Sequence, residues 1–244
     1  MPIRPLLFPL LAAYFFLVTL PAQALNVPEK LVFEISWLGI TAGTATQEIR
    51  DENGIRTITS IARSASWLSS MFPVEDRIET RLRIAPGMVP GVPLSYRMKI
   101  SEGKHQRDKE TIFDHERGVA IYIDHRSDER VEIPIPPNIF DAYSCFYHVR
   151  SLTLEPDKSL FLTIFDGKEV HRVEVRVLRR ETVKTALGNF RTIVVQPLLT
   201  SEGIFDGKGS VDIWLTDDER HLPVKMKTKV AVGSVTAALV GGNF

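Results

Sequence analysis

The chain has 244 residues, with 30 lysines and arginines against 30 aspartates and glutamates, and one cysteine. Zero formal charge argues against a protein held by nucleic-acid phosphates, because such binders carry a basic excess or stripe. One cysteine excludes an internal disulfide framework and any multi-cysteine zinc or iron–sulfur site, and an apolar fraction of 44% is too high for a disordered chain.

The first 24 residues read as an address. Arg4 precedes an apolar run from Leu6 to Leu20, and Ala22-Gln23-Ala24 supplies a small-x-small exit. A positive start, a short apolar core and an A-x-A exit describe a cleaved secretory signal peptide. A membrane anchor needs about 20 apolar residues, and Pro9 and Pro21 bracket a shorter stretch. No cysteine lies near the exit, so attachment of the lipoprotein kind is not expected. Residues 25–244 are then expected as one exported, near-neutral, β-rich domain, periplasmic in a Gram-negative source. No later apolar segment is long enough to span a bilayer as a helix, and burial must stabilise the domain without disulfides.

The body reads as strands and turns. Leu31, Phe33, Ile35 and Trp37 alternate with Glu34 and Ser36, the period-2 signature of a half-buried strand. A small-residue stretch from Thr41 to Thr46 continues as a second strand. Asn53-Gly54 marks a hairpin, since both residues tolerate positive φ, and Ile55–Ile61 follows. Further strands are predicted at 78–84, 94–101, 110–114, 119–125 and 131–135. Later ones fall at 160–165, 171–180, 190–199, 209–216, 224–231 and 234–239. Gly118, Asp166-Gly167, Gly188-Asn189 and Asp206-Gly207 punctuate them. Such regular spacing predicts an all-β fold, mainly antiparallel, either a sandwich or a curled barrel-like sheet.

One segment breaks this pattern. Between Pro137 and Pro156, Phe140, Tyr143, Tyr147 and Arg150 recur at helical spacing, as do Ile139, Ala142, Phe146 and Val149. This predicts one helix over 139–152. A shorter helical turn is expected around Trp67 and Leu68. The stretch Pro134-Ile135-Pro136-Pro137 could divide two halves, but the length favours a stiff connection inside one domain.

The search for chemistry returns little. His105, His115 and His125 are evenly spaced, but ten strand residues separate the first two by about 33 Å, so one metal ion is not expected. There is no G-x-S-x-G elbow and no glycine-rich phosphate loop. Cys145 and His148 are neighbours on the predicted helix, yet the apolar surroundings of Cys145 make it a packing residue. No catalytic residue, metal ligand or cofactor is assigned. Asp217-Asp218-Glu219 reads as a solvated turn. Glu75, Asp76 and Glu79 read as a charged strand face with Arg77 and Arg81.

Two blocks carry a family resemblance. Asp141, Ser144, Tyr147 and Arg150 form a D-x-x-S-x-x-Y-x-x-R pattern. Trp214-Leu215-Thr216-Asp217-Asp218, then Arg220 and Pro223-Val224, form a second. With Leu31–Trp37, Gly39-Ile40, Ala42-Gly43 and Thr185–Thr192, they resemble the DUF3108 family of exported bacterial proteins, from Leu31 to about Leu239. The resemblance implies an exported β-rich domain of unknown function and transfers no catalytic residue. Physically, Asp141 suits a helix cap, Arg150 suits the opposite pole, and Trp214 is a buried anchor whose N–H needs a partner.

The leading expectation is a non-enzymatic envelope protein that binds a hydrophobic or amphipathic, lipid-like ligand or an envelope partner. Trp214, Tyr143, Tyr147 and Arg150 are its candidate ligand-binding residues. The alternative is a periplasmic hydrolase of cell-wall or polysaccharide material, with Asp141, Asp217 and Asp218 as candidate carboxylates. A third reading, an outer-membrane barrel, fits the strand count, but the charged strands near Arg77–Arg83 oppose it.

Overall fold

The structure is a computed structural model and describes residues 25–198, 211–230 and 232–244. The expected signal segment and the Asp206-Gly207 turn lie outside the described residues.

Eight strands come first. They are β1 (Glu29–Trp37), β2 (Ile40–Glu52), β3 (Ile55–Ser64), β4 (Glu75–Ala85), β5 (Met88–Glu102), β6 (His105–Asp114), β7 (Val119–Asp124) and β8 (Glu129–Pro134). A four-residue helix, α1 (Ser66–Ser69), sits between β3 and β4. Helix α2 (Ala142–Arg150) follows β8. Six more strands complete the order: β9 (Lys158–Asp166), β10 (Glu169–Thr185), β11 (Gly188–Leu198), β12 (Val211–Thr216), β13 (Pro223–Lys229) and β14 (Ser234–Asn243). The two-residue turn between β2 and β3 places Asn53 at φ 50° and Gly54 at φ 77°, as a primed hairpin turn requires.

All 14 strands among the described residues belong to one sheet, in the order β8-β7-β6-β5-β4-β3-β2-β1-β14-β13-β12-β11-β10-β9. Of the two architectures expected, the curled sheet is therefore the one adopted. Two meanders of sequence neighbours meet in the middle, where β1 pairs antiparallel with β14. Gly242 makes that pairing possible. Its φ is 141°, and a Cβ there would collide with the Lys30 carbonyl oxygen, so a glycine is needed.

The outer edges, β8 and β9, approach without forming a ladder. Lys168, in the turn after β9, reaches Glu129 of β8 at 2.6 Å. The chain leaving β8 fills the gap: the Phe140 N–H donates to Thr163 O at 3.0 Å, and the Phe165 N–H donates to Phe140 O at 2.8 Å. Helix α2 then enters the concave side and touches β4, β5 and β9. Cys145 and Val149 pack with Val173, Val175 and Ile213. Tyr147 packs with Ile49, Ile58 and Leu82 from the other meander. One short helix thus joins the two halves of the core, and each fully buried Ile or Leu it covers stabilises by about 1.5–3 kcal/mol.

The solvent side carries ion pairs instead of an apolar band. Arg77–Glu79, Arg97–Asp108, Arg117–Glu132 and Arg179–Glu181 all lie there with exposed or half-buried side chains. A membrane-spanning barrel needs the opposite, an outward apolar girdle. No helix among the described residues is long and apolar enough to cross a membrane.

Candidate functional site: helix α2 and two apolar cavities

The start of α2 is fixed by a buried carboxylate. Asp141 Oδ1 accepts from the backbone N–H groups of Tyr143 (2.9 Å) and Ser144 (3.0 Å) and from the Thr80 hydroxyl of β4 (2.9 Å). Ser144 Oγ donates to Asp141 Oδ2 at 2.7 Å and lies 2.9 Å from the Asp141 N–H, which closes a capping box. Burial pushes the Asp141 carboxyl up, and these hydrogen bonds oppose the shift. The expected cap is present, and it also ties the helix to the sheet.

The end of α2 is fixed by a buried ion pair. Arg150 donates from its two terminal nitrogens to Glu29 of β1 at 2.8 and 2.7 Å. Its Nε donates to the His221 carbonyl at 3.1 Å. Protonated at Nδ1, His221 returns a hydrogen bond to the Arg150 carbonyl at 2.8 Å. The guanidinium also lies over the Tyr147 ring, 4.8 Å from its centroid. Arg150 and Glu29 are 1% and 3% exposed, so this arginine holds the scaffold rather than serving the helix pole alone.

Cys145 is inert. Burial, with the Asp141 carboxylate adding to it, pushes its thiol up to about 12. His148, the only candidate activator on the helix, instead meets the Val89 carbonyl through Nδ1 at 2.6 Å and stacks on Phe140 with centroids 4.7 Å apart. A thiolate nucleophile needs the opposite environment. Trp214 is buried in a second cluster with Leu31, Phe33 and Val194. Its indole N–H donates to Glu181, and Lys225 Nζ lies 4.7 Å above the ring.

The expected carboxylates do not converge. Asp217 pairs with Arg180 at 3.0 Å and Asp218 with Arg220 at 3.0 Å, while Asp141 caps α2. The histidines also go separate ways: His115 to the Pro93 carbonyl, His125 to Glu110. No group of three metal-ligating side chains occurs among the described residues.

What the fold does build is an apolar cavity on either side of Tyr143. A cavity of about 690 Å³ lies inside β1–β6, walled by Ile35, Ala62, Val74, Ile78, Met98 and Ile100. A smaller one of about 200 Å³ lies between α2, β1–β3 and β9–β13, walled by Phe33, Cys145, Phe146, Val195 and Ile213. Tyr143 and Ser60 line both. Burial pushes the Tyr143 phenol up to about 12, so the phenol stays neutral. Of the four candidate ligand-binding residues, Tyr143 borders the cavities. Trp214, Tyr147 and Arg150 do not line them.

The polar part of the larger cavity was hidden in sequence. Asp76 and Glu102 both border it, with Arg63, His105 and Arg107. Asp76 accepts from the Ser101 N–H at 2.9 Å. Burial, and then the neighbouring Glu102, lift its carboxyl to about 6. Glu75 and Glu79 do lie on an outward charged face, paired with Arg63 and Arg77. Asp76 has the other parity. It shares its face with Ile78, Thr80 and Leu82, which are buried, and that alternation was the available signal.

The architecture defines a barrel-like β protein, an open curled sheet that holds a helix and apolar space. A family model described as "Protein of unknown function (DUF3108)" matches residues 32–240, and the chain belongs to that family. No curated protein matches. A solved structure with a similar fold is a β-barrel-like protein of the DUF1849 domain of unknown function from Brucella abortus. It is 12% identical, with a TM-score of 0.57 over 90% of this chain and 98% of that one.

Proposed function

We propose that the protein is an exported envelope protein that holds an amphipathic molecule, an acyl chain with a polar head, in the cavity beneath β1–β6. The observation that carries this reading is the cavity itself. Its volume of about 690 Å³ falls in the range of small-molecule sites, and a few polar groups on a mostly apolar wall are the composition such sites have. The apolar chain would lie against Ile78, Met98 and Ile100. The polar head would meet Asp76, Glu102 and Arg107, and Tyr143 would separate it from the smaller cavity. Arg4, the apolar run to Leu20 and the Ala22–Ala24 exit support export to the periplasm.

Delipidated protein titrated with a fluorescent long-chain fatty acid tests the reading. Wild type is expected to bind at micromolar levels. Ala62→Trp, which fills the larger cavity, is expected to weaken binding about tenfold or more. Equal binding by both, or none by either, removes the cavity as the site. Fractionation of expressing cells tests the location, and a cytosolic, uncleaved product would contradict it.

The hydrolase alternative now rests on Asp76 and Glu102, the carboxyls that share a cavity. Turnover of a cell-wall polymer that disappears in Asp76→Asn would favour it over binding.

A further inference from the structure

The apolar side chains that the fold leaves in water are not scattered. Of the twelve large apolar residues exposed among the described ones, seven sit on turns at one end of the sheet. Leu38 and Ile40 are 58% and 61% exposed in the β1–β2 turn. Trp67, Met71 and Phe72 are exposed in the segment carrying α1. Val230 and Val232 are exposed in the β13–β14 turn.

These turns are bound into one rim. The Trp37 indole N–H donates to the Val232 carbonyl at 2.8 Å, and the Trp67 indole N–H donates to the Thr41 carbonyl at 2.9 Å. Leu38 lies against Gly233, and the Phe72 ring lies against Gly103 in the β5–β6 turn. The Gly103 N–H donates to the Pro73 carbonyl at 2.8 Å. The rim is also the mouth of the larger cavity, whose wall includes Trp37, Leu68, Phe72 and Val235. Across these turns, residues 37–42, 65–73, 103–104 and 230–235, the charged residue is Lys104, flanked by Glu102 and His105 on the cavity wall.

We propose that this rim docks on the surface of a lipid bilayer, with the cavity mouth facing the lipid. A contiguous exposed apolar patch marks an interaction surface. Turns rich in Trp, Leu, Ile and Phe suit the interface of a bilayer. The position of the mouth selects this occupant over a protein. A molecule leaving the cavity inside a lipid-covered rim moves from one apolar phase to another, while a protein partner would seal the opening and supply no ligand. The inference rests on the binding reading above for its purpose, though the docking can be measured separately.

Flotation of the full chain with vesicles of phosphatidylethanolamine mixed with phosphatidylglycerol tests it. Wild type is expected to float. The triple variant Leu38→Asp, Ile40→Asp, Met71→Asp is expected to lose about tenfold or more of its vesicle affinity, with unchanged thermal unfolding and unchanged uptake of dispersed fatty acid. Phe161→Asp, an exposed apolar site elsewhere, is expected to float like wild type. Ala62→Trp is expected to float while failing to take up fatty acid, which separates docking from cavity binding. Wild type that stays at the bottom of the gradient overturns the proposal, as does a triple variant that floats equally. Rim-dependent dimers without flotation also overturn it, in favour of a second copy as the occupant.

Discussion

The Arg150 guanidinium grips the Glu29 carboxylate through two parallel hydrogen bonds, across 121 residues of chain and out of contact with solvent. The pair anchors the last turn of α2 to the first residue of β1. A bidentate arginine–carboxylate pair is strong in geometry, but its burial costs much of what the attraction returns.

Removing one partner is therefore worse than removing both. Arg150→Met and Glu29→Met should each cost about 3–5 kcal/mol, because each strands a buried charge. The double variant should recover most of that loss. Urea unfolding of the three variants measures the coupling, and additive losses would contradict it.

The cap at the other end of α2 should behave differently. Asp141→Ala removes the acceptor for two backbone N–H groups and for Thr80. A loss of about 2 kcal/mol is expected from the missing cap and the stranded hydroxyl. Thr80→Val removes the hydroxyl with its bond and should cost about 1 kcal/mol or less. Thermal unfolding distinguishes the two.

Cys145 should not react in the folded protein. With its thiol lifted to about 12, labelling by an aromatic disulfide reagent at neutral pH should proceed only as the core opens. Denaturant should release full labelling at once. Fast labelling of the native chain would mean that α2 leaves its seat.

Asp76 should make stability fall as pH rises. Its carboxyl titrates near 6 in the fold against an ordinary 3.8, so the folded state binds more protons between those values. Stability is then greatest below about pH 4, declines through about pH 6 and levels off above. Glu102 faces it from β5, with His105 and Arg107 from β6 on the same cavity. Asp76→Asn keeps an acceptor for Ser101 and should remove that decline. The gain at pH 7 should be about 1 kcal/mol, since solvent screens a half-buried site. Chemical unfolding at pH 4 and pH 7 provides the comparison.

Strand by strand, the fold was legible. The alternation of Leu31, Phe33 and Ile35 marks a one-sided strand, and the Phe140–Arg150 spacing marks the helix. Sandwich and curled sheet stayed undivided because both bury one face of each strand, and alternation reports only that. The β1–β14 pairing is a contact between distant segments, and Gly242 shows its need only once Lys30 stands opposite. Arg150 was visible as a candidate, but its partner Glu29 was not, because nothing local ties the two. Asp76 was misplaced by grouping it with its neighbours Glu75 and Glu79 instead of with residues two apart.

The central β1–β14 seam also orders events in time. Each meander can zip through contacts between sequence neighbours, which close quickly. The join between them must wait for the segment from 234 to 243, and until it arrives β1 presents a bare edge, the kind that recruits other chains. Aggregation during folding should therefore track the delay before β14 lands rather than the stability of the finished sheet.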